Sequence, residues 1–333
     1  MMLPKVWIEL STFNGVVTDD YMRAIGGAYA TLGHEVEYVD DVVKMNGSNT
    51  DIYVVLLAVS ACKLRARGKK RIVFWSQGIW PEESFMKHGS RLRLFACNAV
   101  EKMALSVSER IFVVSNAQLR HFETKYQLRL RKKSLIMACS NESFHEESFY
   151  AEGKYEKPVF VYAGSLAQYQ CIDETLEAFK RAQTVTPNAS LMFLTNDIER
   201  ARELVARHAL TNVSVDHADK DELPAILSHA KYGFVIRDDS AINRVSTPTK
   251  ISTYIANGVI PIYSPTIEAF SESAHNIVRL RYERESFAED YREFETLHLK
   301  PIEMCNSYAE YFDEELSYDN AASRILAFLE GLN

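Results

Sequence analysis

The stretch VFVYAGSLAQYQCIDETLEAF, Val159 to Phe179, decides how the chain is to be read. A β-favouring run ends in Ala163-Gly164-Ser165, and apolar residues then recur at helical spacing through DETLEAFKRAQ (173–183). Strand, glycine turn and helix form one βα unit. Further along, STPTKISTYIANGVIPI, Ser246 to Ile262, reads as a short helix stopped at Asn257-Gly258 and followed by a strand. Between the two lie strand SLMFLT (190–195), helix DIERARELVARHA (197–209), strand VSVDH (213–217), helix DELPAILSHA (221–230) and strand YGFVIR (232–237). This alternation predicts a parallel sheet, with ligands beyond the carboxyl ends of its strands.

The first half alternates in the same way. KVWIEL (5–10), HEVEYVD (34–40), IYVVLLAVS (52–60), RIVFWS (71–76), RIFVVS (110–115) and KSLIMA (133–138) read as strands, with helical spacing over 20–33 and 91–108. A polar, turn-rich stretch, YAEGKYEKP (150–158), separates the halves. With 333 residues, 47% of them apolar, the chain is long enough for two α/β domains with a cleft between them, and these are expected over 1–152 and 153–316. A final helix over 317–333 carries Ala321, Ala322, Ile325, Phe328, Leu329 and Leu332 on one face and is expected to pack back towards the first domain.

Several classes are excluded by composition. No apolar run is long enough to span a bilayer and MMLPKVWIEL lacks the marks of a signal peptide, so a cytoplasmic protein is expected. Five scattered cysteines without CxxC spacing support neither disulfides nor zinc. The net charge of −7 is uneven: residues 1–150 hold 20 Lys and Arg against 16 Asp and Glu, and residues 151–333 hold 18 against 29. The basic runs KLRARGKKR (63–71) and RLRKK (129–133) are either solvated faces or an attraction to an anionic membrane surface or a phosphorylated acceptor. Nucleic acid is not expected, because no aromatic residues interleave the basic runs.

The stretch at 246–262 also carries chemistry. Ser246 or Thr247 is the candidate N-cap, Pro248 suits the first helical position, and the first-turn N–H groups with the Thr249 hydroxyl make an anion site. Lys250 stands in the first turn, where the helix dipole disfavours a cation, so an anion is needed to offset it. Alone, this pattern also fits an ordinary capped helix with a solvated lysine.

Together, VYAGSL (161–166) and RDDSAINRVSTPTKISTYIANGVIPI (237–262) resemble the retaining glycosyltransferases of family 4 and their relatives, which have the GT-B architecture of two Rossmann-like domains. The likeness spans about 159–264 and extends more loosely over AVEKMALSVSERIFVVSNAQLRHF (99–122) and the last helix. It implies a nucleotide-sugar donor in the second domain: Gly164 and Ser165 on the diphosphate, Thr247, Pro248, Thr249 and Lys250 opposite, with Arg244 and Arg237 adding charge near the leaving group and Asn243, Ser246 and Thr253 beside them. Lys250 and Arg244 are the expected catalytic groups, acting by stabilising the departing diphosphate. No cofactor and no metal are implied; Asp40-Asp41 and Asp238-Asp239 do not form an Asp-x-Asp pair.

Departures from the family pattern are specific. Ser165 and Gln170 stand where many members carry an arginine and a lysine, and Val245 and Thr253 replace a pair of glutamates. An acceptor is expected in the first domain, near Gly15, Gln77, Gly78, Trp80 and Glu82, and His217 is a candidate neighbour of the nucleotide base. The resemblance implies transfer of a hexose from a UDP-sugar to a glycan or lipid-linked glycan at the inner membrane face, in bacterial surface polysaccharide assembly. The alternatives are a catalytically inactive glycosyltransferase-like partner and a nucleotide-sugar 2-epimerase.

Overall fold

In the computed structural model of the chain, residues 3–11, 15–140 and 142–331 are described. Thr12, Phe13 and Asn14, from the loop expected to follow the first strand, and Leu332 lie outside them. The chain divides into two compact units that are discontinuous in sequence: residues 1–138, 244–246 and 317–333, and residues 139–243 and 247–316.

The first unit has one parallel sheet of β1 (Val6–Glu9), β2 (Val36–Val39), β3 (Ile52–Val55), β4 (Arg71–Ser76), β5 (Arg110–Val113) and β6 (Ser134–Ile136), in the order β2-β1-β3-β4-β5-β6. Its helices are α1 (Gly15–Thr31), α2 (Ala58–Ala66), α3 (Trp80–His88), α4 (Arg91–Val107) and α5 (Asn116–Tyr126). β3 and most of β4 are buried throughout, as expected of parallel strands covered on both faces.

In the second unit β7 (Val159–Ala163), β8 (Ser190–Leu194), β9 (Val213–Asp216), β10 (Tyr232–Val235), β11 (Ile260–Tyr263) and β12 (Leu280–Arg281) pair in parallel, in the order β12-β11-β10-β7-β8-β9. The helices are α6 (Ile172–Val185), α7 (Ile198–Arg207), α8 (Leu223–Leu227), α9 (Ala241–Val245), α10 (Thr249–Ala256), α11 (Glu268–Ser273), α12 (Phe287–Phe294) and α13 (Pro301–Tyr311), then a π-helical turn at Phe312–Leu316. Strand order reverses between β7 and β10, so their carboxyl ends splay apart and leave a crevice. Phe160 stacks between Tyr232 and Phe234 at 4.9 and 5.4 Å, filling the sheet face behind that crevice.

The last helix, α14 (Tyr318–Glu330), belongs to the first unit and packs on α1. Phe328 lies edge-on to Phe112 of β5, and Arg324 donates to the Ile136 carbonyl at 2.9 Å. Ile325 and Leu329 are buried, whereas Ala322 is exposed: the buried stripe is narrower than the periodicity predicts.

Several cations of the basic runs are engaged in holding the fold. Arg67 donates to the Val42 and Met45 carbonyls, both at 3.0 Å, and Lys69 donates to Gly47, together fastening the loop before β3. Lys133 donates to the carbonyls of Leu105 and Ser108 at 2.8 and 2.7 Å, satisfying the last turn of α4.

α10 is fixed from its far end. Gly258 at φ +64 allows Val259 N–H to reach back to the Tyr254 carbonyl at 2.9 Å, a closure that needs a left-handed residue. Lys154, 2% exposed, donates to the Leu227 and Asn257 carbonyls at 2.9 and 2.7 Å, tying the ends of α8 and α10 together. Burial pushes its ammonium down to about 7. The packing of α10 on the sheet leaves no room for a side chain at Gly233, where a Cβ would stand 2.5 Å from the Tyr254 ring. Gly233→Ala is expected to cost about 1–3 kcal/mol by overpacking, measured as a lower melting temperature by circular dichroism.

Candidate functional site

A cavity of about 640 Å³ opens at the carboxyl ends of β7, β8 and β9, within the second unit. Its walls include Gly164 and Ser165 after β7, Thr195 to Asp197 after β8, His217 and Ala218 after β9, and Thr249, Lys250, Thr253 and Tyr254 from α10.

Lys250 gives the cavity its chemistry. The side chain is only 8% exposed, and its Nζ is buried with no hydrogen-bond partner. Below it lies the Tyr162 ring, with Nζ 3.6 Å from the ring centroid, a contact that compensates a cation in part. Burial pushes the ammonium well below the usual lysine value, and the nearby Arg237 charge pushes in the same direction. An anion entering the cavity would relieve both effects.

Gly164 is the piece that lets the lysine lie there. Its φ of +144 belongs to glycine, and a Cβ would fall 2.8 Å from Lys250 Cε. Its N–H is already donated to the Leu194 carbonyl at 2.9 Å, so residue 164 contributes room rather than a backbone donor. Tyr162, anchoring the turn by donating to the Ser165 carbonyl at 2.5 Å, and Tyr254, accepting from Ala163 N–H at 3.2 Å, hold strand and helix in register.

At the amino end of α10 the structure departs from the expected cap. The helix begins at Thr249 with Pro248 in the cap position, and no side chain caps its first turn. The proline side chain carries no acceptor, and the Thr247 hydroxyl instead accepts from Cys139 N–H at 3.1 Å. The amino end therefore meets the cavity without a side-chain cap.

Of the expected donor residues, Gly164, Ser165, Thr249, Lys250 and Thr253 line the cavity; Arg237, Asn243, Arg244, Ser246, Thr247 and Pro248 do not. Arg237 is buried behind Tyr169, its guanidinium 5.7 Å from that ring. Asn243 donates to the Asp238 carbonyl at 3.1 Å and so shapes the loop after β10. Arg244 and Ser246 group with the first unit, and Arg244 is exposed. His217 does line the cavity, through the loop after β9.

Two contributors escape a reading of local motifs. Tyr162 sits in a strand that reads simply as apolar. Glu142 lies far from α10 in sequence, yet its carboxylate accepts from the Thr253 hydroxyl at 3.1 Å. Burial raises this carboxyl above its usual range, against the Thr253 bond. A carboxylate thus stands next to position 253 although the helix does not carry one.

Gly15, Gln77, Gly78, Trp80 and Glu82 all lie in the first unit: Gly15 opens α1, Gln77 and Gly78 follow β4, Trp80 opens α3 and Glu82 lies in its first turn. Glu82 is engaged in its own network, 3.3 Å from His121 and 2.7 Å from Lys125. Burial alone would raise its carboxyl, but these two partners outweigh burial and leave it below the usual range. A carboxylate so held is a poor base for an acceptor hydroxyl.

No protein-family model and no curated protein matches the chain. Among solved structures it is similar to sucrose-phosphate synthase from Thermosynechococcus elongatus, with TM-score 0.70, 13% identity and 99% of each chain covered. It is also similar to the UDP-forming alpha,alpha-trehalose-phosphate synthase from Burkholderia xenovorans in complex with glucose-6-phosphate, with TM-score 0.60 and 14% identity, covering 95% of this chain and 78% of that one. A third is S. aureus TarM in complex with fondaparinux, alpha-GlcNAc-glycerol and UDP, with TM-score 0.58 and 9% identity over 86% of this chain; only 55% of TarM is spanned. The chain has the GT-B fold: two α/β units, each built on a six-stranded parallel sheet. At such identities the likeness is one of fold.

The unpartnered ammonium makes Lys250→Met informative. Removing a buried, unsatisfied donor is expected to raise the stability of the ligand-free protein by about 1–3 kcal/mol. Because the folded state lowers this lysine's pKa, the unfolded state binds its proton more tightly. Stability of the native sequence should therefore rise with pH from the lowered folded value up to ~10.4, and Lys250→Met should remove that part of the slope. Urea unfolding across pH measures both effects.

Proposed function

We propose that the protein is a glycosyltransferase whose second unit binds a nucleotide-diphosphate sugar, with the diphosphate on Lys250. One observation carries the reading: a lysine Nζ buried without a hydrogen-bond partner, in a cavity at the carboxyl ends of a doubly wound sheet, beside an uncapped helix amino end. Such a lysine is costly in the empty protein and favourable once a phosphate supplies the missing acceptor. The solved relatives named above, one UDP-forming and one holding UDP, support UDP as the nucleotide.

On this reading, Ser165 and the Thr249 end of α10 bind the diphosphate beside Lys250, and Thr253, whose hydroxyl donates to Glu142, faces the more polar part of the nucleoside. The chemical task is to stabilise negative charge as the sugar leaves, which a preorganised ammonium does without a side-chain nucleophile. Retention of the anomeric configuration, a hexose as the transferred sugar, and a glycan or lipid-linked glycan acceptor in bacterial surface polysaccharide assembly belong to the same proposal. They rest on the likeness of VYAGSL and NRVSTPTK to the retaining enzymes.

The experiment is thermal stabilisation by UDP, GDP, ADP, CDP and dTDP. One nucleotide is expected to stabilise the native sequence by ~2.7 kcal/mol at a hundred times its dissociation constant, and Lys250→Met should abolish the effect. Calorimetry in buffers of different ionisation enthalpy should show proton uptake on binding, because the phosphate raises the depressed lysine pKa; affinity should fall as pH rises. Absence of stabilisation by every nucleotide at millimolar concentration would remove the reading and favour a glycosyltransferase-like partner protein.

A further inference from the structure

α4 is apolar on two opposite faces, and only one of them is used. Its inner face, Cys97, Glu101, Ala104 and Leu105, is buried. The outer face carries Leu92, Phe95 and Met103, which are 81, 74 and 52% exposed, with exposed Ala96 and Ala99 completing a single helical stripe. A helix with two apolar faces is normally covered on both.

Neighbouring helices continue this surface. α3 and α2 both pack against α4, and α3 adds exposed Phe85 and Met86 beside the amino end of the stripe. Lys87, Arg91, Arg93 and Lys102 are exposed along the same two helices. No acidic residue occurs from Ser84 to Val100, nor in α2 and its flanks from Ile52 to Arg71. Glu101 points inward, accepting from the Tyr126 hydroxyl at 2.7 Å.

We propose that this outer face of α3 and α4, with α2 alongside, docks on an anionic lipid bilayer. Apolar tips entering the acyl boundary and flanking cations at the phosphate layer match the two strata of a membrane surface. Long Lys and Arg stems lie along apolar surface while their charges reach the headgroups. A protein partner would need a groove complementary to a convex row of side chains; a fluid bilayer needs none. The surface is a different one from the RLRKK run, whose Lys133 is committed to the end of α4. It does not depend on the donor reading, since it rests on other residues.

The test is co-sedimentation of the full chain with phosphatidylcholine vesicles, with and without phosphatidylglycerol. The native sequence should bind only the anionic vesicles, less so at high salt. Leu92→Ser with Phe95→Ser, and separately Lys87→Gln with Arg91→Gln, should each lower binding at least about tenfold while the melting temperature stays unchanged. Failure of the native sequence to bind anionic vesicles, or binding by both double variants at the native level, overturns the proposal. A concentration-dependent dimer that Phe95→Ser dissolves, without vesicle binding, also overturns it and makes a second copy the occupant.

Discussion

A buried ammonium without a hydrogen-bond partner is the constraint around which the second unit is organised. Lys250 is held over the face of Tyr162, and the absence of a side chain at Gly164 is what leaves space for its stem. Tyr254 ties α10 to β7, and Lys154 with Gly258 secures the other end of the helix. Each contact fixes the helix so that its amino end and its lysine meet the cavity together. An unsatisfied buried donor costs about 1–3 kcal/mol against a net stability of about 5–15 kcal/mol. A fold tolerates that only where the surrounding packing over-determines the geometry.

The parallel sheet explains why the cavity lies where it does. Helices must cross from the end of one strand to the start of the next, so every βα loop emerges on the carboxyl side. Reversal of strand order between β7 and β10 then opens those loops apart. Gly164, Asn196, His217 and Lys250 come from four such connections and from distant parts of the chain. Their convergence follows from topology rather than from any local motif.

The two units use positive charge differently. In the second, burial leaves the Nζ of Lys250 without a hydrogen-bond partner at the cavity wall. In the first, the cations divide by environment: Arg67, Lys69 and Lys133 satisfy backbone carbonyls, while Lys87, Arg91, Arg93 and Lys102 border exposed apolar side chains. Sequence runs of Lys and Arg look alike in both roles, because the carbonyls that take up a cation are contributed by other segments.

Periodicity alone determined the alternation of strands and helices and the parallel sheets, because these depend on residues adjacent along the chain; Gly164 and Lys250 were singled out by their places in two βα connections and by the family resemblance. The motif VYAGSL and the stretch around Lys250 could be paired by sequence since both belong to βα connections of one sheet. Only the tertiary structure decided that Gly164 gives room instead of an N–H donor, that Pro248 occupies the cap while Thr247 is spent on Cys139, and that Arg237 is buried behind Tyr169. Only it brought Glu142 to Thr253 and left one face of α4 uncovered. Each of these turns on which distant group meets a side chain, and burial and hydrogen bonding between distant segments are set by packing, which no local pattern encodes.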